Sequence, residues 1–314
     1  MISAVADCEI GYVVLSKGSQ LIAALPFATK SSKLGRIINT LPFYGSCSSV
    51  VGSTLGDHAV LMVRKLLSHA KATGVSTVTI IDDWRHNVFS RLGDADFVSK
   101  RSNQFIELSR WRGSSPIDHY HHKTRNLVRK AAKLGVVGRI SEDLKDFANL
   151  EAVHRENMAS VGGAAKPARF FEWLRENPQG LARHRLYVAS LDGWDCAYLL
   201  NFYCGDTVEY YMPAVRVDAR SAQPLSLLID VALQDAMRDG YSYWNFGGTW
   251  PNQHTLRHFK TRWGGEESSY SYYTYVINPE ILSCSSKELL SEFSYFFVVP
   301  FDRLNEQAFV GTRQ

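Results

Sequence analysis

Apolar and polar positions change their period along this chain, and each period names an element. Near the start they alternate, which predicts strands over residues 10–15 and 21–27, separated by a Lys17-Gly18-Ser19 turn. Over 57–72 the period becomes helical. Val60, Val63, Leu67 and Ala70 fall on one face, Asp57 stands where a cap belongs, and Gly74 ends the helix. A buried strand is expected at 75–81 and another at 104–108, and 39–51 reads as a Gly/Ser/aromatic loop.

The second half repeats the alternation of strand and helix. Helices are predicted over 124–134, 144–159 and 168–176, with Leu127, Ala131 and Leu134 forming the apolar face of the first. A hairpin follows, 185–191 and 196–203 across Asp192-Gly193-Trp194, with a third strand at 207–212. Residues 224–238 form a helix that aligns Leu225, Leu228 and Ala232, with Pro224 in its first turn and Gly240 after its end. A strand at 241–246, a Gly247-Gly248 loop, a short helix over 255–263 and a Tyr-rich strand over 269–277 complete the pattern. This is an α/β chain. The Gly113-Ser114-Ser115-Pro116 run marks a boundary between a lobe at 1–112 and a second at 113–279, with 280–314 expected to pack back on the first.

Composition narrows the class. The chain has 314 residues, 45% of them hydrophobic and 21% charged, which is a globular balance. Five scattered cysteines without a CxxC pair encode neither a disulfide scaffold nor a zinc ribbon, and point to a reducing compartment, the cytoplasm. The first residues lack the basic lead of a secretory signal, and the longest apolar run, 293–301, is far short of a membrane span. A membrane channel, a fibrous protein and a small secreted toxin are excluded. Net charge is +4, but 110–139 alone holds eight Lys/Arg and one acid, so the positive charge is concentrated. There Arg125, Arg129 and Lys133 share a helix face that can hold phosphates or serve as a plain solvated surface; Asn126 lies off that stripe.

Three segments carry a resemblance. HHKTRNLVRKAAKLGV at 121–136, AQPLSLLIDVALQDAMRDGYSYWNFGG at 222–248 and LRHFKTRWGGEE at 256–267 resemble, in order and spacing, the basic helix, the strand–helix–strand core and the F-K-x-x-W-G signature of the FemAB-like transferases of the GNAT superfamily. The resemblance covers roughly 121–277. It implies two GNAT-like lobes, each a mixed β-sheet flanked by helices, with a cleft between them. It also implies direct acyl transfer to an amine without a covalent enzyme intermediate. The donor it implies first is acyl-CoA, with aminoacyl-tRNA as the alternative; no cofactor is tightly bound. The acceptor is the amine of a sugar, nucleotide-sugar or peptide. Two departures stand out. VRVDARSAQ at 215–223 has no glycine where the usual GNAT pyrophosphate loop does, and the long coiled-coil insertion of some bridge-forming enzymes is absent.

Acyl transfer needs a polarised carbonyl and a stabilised leaving group, and the residues offer both. Lys260, beside Arg257 and Arg262 and anchored by Phe259 and Trp263, is a cation for a developing oxyanion or a donor phosphate, or else a solvated charge on a short helix. Arg216, Arg220 and Ser221 precede the helix at Pro224, where free N–H groups favour an anion; Ser221 or Gln223 alternatively caps that helix. Tyr210 and Tyr211 are adjacent on a strand, so one faces the site; Tyr211 is the candidate proton donor, with plain aromatic packing as the alternative. Asn245 can orient an acceptor amide or hydroxyl, Gly247 and Gly248 permit close backbone approach, and Trp250 can stack on a base or sugar. His254 and His258 have zinc-like spacing, but Thr255 replaces the Glu of HExxH and no third ligand is evident, so no metal is expected. Partners are therefore an anionic, phosphate-bearing small molecule or a tRNA. Two readings of other classes compete: a non-catalytic RNA-binding module, supported by the basic stripe with His119, Tyr120, His121 and His122, and a scaffold subunit with a closed cleft.

Overall fold

A computed structural model describes residues 2–46, 48, 50–52, 57–177, 183–250 and 252–300. The expectation for the tail at 301–314 and for the Asp57 side chain as a cap lies outside the described residues. In chain order the elements are α1 (Ile2–Ala6), β1 (Glu9–Lys17), β2 (Gln20–Ser32), β3 (Gly35–Asn39), β4 (Val51–Gly52), α2 (Asp57–Ala72), β5 (Thr77–Ile81) and β6 (Phe97–Glu107). There follow α3 (Pro116–His119), α4 (His122–Lys133), β7 (Val137–Ser141), α5 (Leu144–Ser160), α6 (Ala168–Glu176), β8 (Arg183–Leu191), β9 (Trp194–Cys204) and β10 (Thr207–Val215). The last are α7 (Pro224–Arg238), β11 (Tyr243–Thr249), α8 (His254–Thr261), β12 (Glu266–Val276) and α9 (Ser286–Glu292). No helix among the described residues is long and apolar enough to cross a membrane.

The chain divides into two compact units, one drawn from Met1–Ser102 and Ser268–Gln314, the other Asn103–Glu267. In the first, β1-β2-β3-β5-β12 lie side by side, with β3 and β5 parallel and the other pairs antiparallel. Ala59, Met62, Val63, Leu66 and Ala70 of α2 are buried in its core with Leu25, Ile38, Val78 and Ile80.

In the second unit the order is β6-β11-β10-β9-β8-β7. Strands β7 to β10 form an antiparallel meander and β11 joins β10 in parallel. Helix α7 packs Leu228, Ile229, Ala232 and Leu233 against Tyr187, Val208 and Trp244 on one face of that sheet. Helix α4 docks through Thr124, Val128 and Ala131, whereas Leu127 and Leu134 are 38% and 49% exposed. The predicted apolar face is thus displaced: Thr124, counted as polar, is buried, and burial follows the 124–128–131 row. The predicted Gly247-Gly248 loop is instead the end of β11.

Candidate functional site

β10 and β11 pair at Thr207↔Tyr243, Val208↔Trp244 and Glu209↔Asn245 only, although they run on to Val215 and Thr249. Beyond Glu209 they part, and β10 changes register against β9 between Tyr210 and Met212. A bulge of this kind re-aims the strand. At the point of parting sits a polar group. Asn245 is fully buried, and its Nδ2 donates to both carboxylate oxygens of the half-buried Glu209, at 3.0 and 2.8 Å. Its Oδ1 accepts from Asn103 Nδ2 and from Gly247 N, each at 2.9 Å.

One turn of chain further, Gly247 adopts φ +76°, a left-handed conformation that glycine takes without strain. Lys260, on α8 and 4% exposed, reaches back to this stretch. Its Nζ donates to Gly247 O at 2.8 Å, Gly248 O at 3.0 Å and Thr249 Oγ1 at 3.1 Å. An ammonium has three N–H donors, and all three are engaged. Burial pulls its pKa down to about 8. The chain of bonds continues to Glu267, where donors converge from both sides. Thr249 Oγ1 donates to Gln104 Oε1, Gln104 Nε2 donates to Glu267 at 3.1 Å, and Arg257 donates to Glu267 at 2.5 and 2.8 Å. Lys260 therefore faces the end of β11 and fixes it.

Tyr210 and Tyr211 fall on opposite faces. Tyr210 packs on Trp244 and Phe246, and burial pushes its phenol pKa up. Tyr211 packs edge-on against Phe202 (4.8 Å between centroids), the residue paired with Glu209, so Tyr211 and Glu209 share a face. The Lys166 ammonium lies 5.7 Å from the Tyr211 ring centroid, its pKa lowered by burial to about 8.

The remaining predicted residues disperse more. Arg216 donates from Nε to Asp195 O and lies 5.3 Å over Trp194, at the β9–β10 edge. Arg220 and Ser221 are exposed in a 3-10 segment before α7, whose N-cap is Gln223 in the left-handed region with no side-chain cap. Arg125 donates to Asp118 O and Arg129 is exposed. Trp250 is 37% exposed; the half-buried Arg262 accepts His121 N at its carbonyl. Among the described residues no cluster of three or more His, Cys, Asp or Glu is placed to hold a metal. The four described cysteines are unpaired.

Sequence reasoning passed over Glu209, Lys166 and Asn103. A lone Glu in an aromatic strand was the one legible signal for Glu209. Lys166 and Asn103 carry none, because their surroundings come from distant segments.

Residues 119–261 match the family model described as an acetyltransferase (GNAT) domain. The chain carries a GNAT acyltransferase domain. The GNAT domain lies within the second unit and contains Glu209, Asn245 and Lys260. No curated protein matches the sequence. Among solved structures, FemX superposes with a TM-score of 0.67 at 12% identity over 88% of this chain and 91% of that one. The C-terminal domain of an Agrobacterium fabrum protein named as a lysylphosphatidylglycerol synthetase gives 0.60 at 13% identity, over 94% and 92%. A tandem GNAT protein from the clavulanic acid biosynthesis pathway gives 0.52 at 14% identity, over 87% and 84%. These are likenesses of fold. The GNAT domain makes the protein an acyltransferase.

Proposed function

We propose that this protein is a cytoplasmic N-acyltransferase that joins an acyl group to the amine of a sugar, nucleotide-sugar or peptide where β10 and β11 part. The observation that carries the reading is the carboxylate of Glu209, bonded through both oxygens to Asn245 Nδ2 at that opening. The amine nitrogen bonds to the donor carbonyl carbon, the bond to the leaving sulfur or oxygen breaks, and that leaving atom gains a proton. Glu209 takes the amine proton as base, Tyr211, on the same face, gives its own phenol proton to the leaving atom, and the proton on Glu209 then passes through solvent to restore the phenol. Lys260 is a positioning residue: it holds the carbonyls of Gly247 and Gly248, so that the end of β11 presents a fixed backbone to the acceptor. Asn245 positions Glu209.

Acyl-CoA is the first donor. Exposed Arg220 and Ser221 at the start of α7 suit a diphosphate, with Arg216 and Trp250 as further contacts. One observation favours a second reading, aminoacyl-tRNA. An extended pantetheine amide chain needs free N–H groups along β10, but Pro213 has none, and Asn157 occupies both backbone groups of Val215 at 2.9 Å. A tRNA would instead lie on the cations around the exposed Arg129 and the half-buried Arg125 and Arg262. The test is incubation of the purified protein with radiolabelled acetyl-CoA or with a mixture of charged tRNAs, plus an amine acceptor panel of amino sugars, UDP-amino sugars and peptides. Label transferred from acetyl-CoA supports the first donor and label transferred from tRNA the second. Transfer from neither overturns the reading.

A further inference from the structure

On the side of the second unit away from β11, β8 outruns its neighbour. β7 covers β8 from Leu186 to Ser190, whereas β9 accompanies β8 down to Arg183. Over 183–185 the outer edge of β8 therefore has no strand beside it among the described residues. The notch opens into a cavity of about 770 Å³. Small-molecule pockets span roughly 300–1,000 Å³. In the order β11-β10-β9-β8 it lies two strands, roughly 10 Å, from β10, which carries Glu209, and three strands, roughly 14 Å, from β11, to which Lys260 bonds, so it is a separate place from both.

Alternation along β8 divides the lining. Arg185 lies 4.9 Å over the Tyr203 ring and pairs with Asp239 at 2.5 Å. Arg238, at the end of α7, bonds Asp235 at 2.5 Å and approaches Asp239 at 3.8 Å. Two guanidiniums thus share the one carboxylate of Asp239. Arg183, exposed on the same rim, has no carboxylate partner among the described residues. Tyr241 stands 5.1 Å from the buried Tyr203, tilted 54° to it, and is the half-buried aromatic of the lining. Among the described residues the one other acid in the lining is Glu142, which is exposed.

An arginine fork matches a carboxylate or phosphate two oxygens at a time, and a tyrosine face accepts a planar ring. We infer that this notch binds a small molecule joining an anionic group to a flat ring, with the anion on Arg183 and Arg238 and the ring against Tyr241. This site stands on its own lining and does not rest on the acyl-transfer reading.

The test is calorimetric titration of the full chain with phenyl phosphate, benzoate and inorganic phosphate, repeated on Arg183→Ala and Arg238→Ala, with circular dichroism confirming that the variants fold. Saturable binding of phenyl phosphate or of benzoate is expected, weakened about tenfold or more in each variant and weaker still for inorganic phosphate. Binding of phenyl phosphate alone assigns a phosphate ester, and of benzoate alone a carboxylate. Three results overturn the inference: no saturation by either aromatic anion at ~10 mM, unchanged affinity in the folded variants, or inorganic phosphate binding as tightly as phenyl phosphate.

Discussion

Lys260 shows how much a single residue's surroundings decide. Its sequence context, Phe-Lys beside two arginines, reads as an exposed cation for a reacting anion. In the folded chain it is buried and spends its donors on Gly247, Gly248 and Thr249. Lys260→Met leaves two carbonyls and a hydroxyl without that donor. Each orphaned group costs on the order of 1–3 kcal/mol, partly offset by relief of the buried charge, so a net loss of about 1–3 kcal/mol is expected in urea unfolding at pH 7. The pH dependence has a definite sign. The folded pKa, about 8, lies below the ordinary value of 10.5, so the unfolded chain binds more protons between them. Stability contributed by this group therefore rises as pH climbs through that window. Lys166 titrates there too. The difference between wild type and Lys260→Met removes its contribution and should widen from pH 8 towards pH 10; a difference that narrows contradicts the assignment. None of this was legible in the sequence, because Gln104 and Thr249 meet only in the fold, 145 residues apart.

At the scale of elements, helices α2, α6 and α7 fall at the bounds their periodicity predicts, since an amphipathic stripe closed by Gly74 or Gly240 is a local signal. Strands fared differently. β6 begins at Phe97, well ahead of the expected 104, and β3 and β7 were not anticipated. The strand β7, Val-Gly-Arg-Ile-Ser, is short, carries a glycine and exposes Val137 and Ile140, so its pattern is weak. The parting of β10 from β11 is a matter of pairing, which no local pattern encodes. Part of it is maintained by Asn157, whose side-chain amide serves Val215 as a strand would, from α5 and 58 residues away. Asn157→Ala leaves the Val215 N–H and C=O unpartnered. A loss of about 1–3 kcal/mol is expected in chemical denaturation; an unchanged midpoint contradicts this role for the amide.

For the molecule as a whole, the α/β class and the GNAT character of the second half were legible, because three motifs survive in order at 121–136, 222–248 and 256–267. They mark the basic helix, the core crossover and the helix carrying Lys260, each dominated by local periodicity. The chemistry was less legible, because the group proposed as base is a single glutamate whose environment comes from β11 and β6. The most direct measurement of the central claim is acyl transfer to an amine acceptor by wild type and by Glu209→Gln, compared at saturating donor. Glutamine keeps the size of the side chain and cannot take the proton. The account predicts an unchanged melting temperature to within a few degrees and a turnover lowered by about 10²–10⁴-fold. A Glu209→Gln enzyme that folds and turns over at the wild-type rate would contradict it.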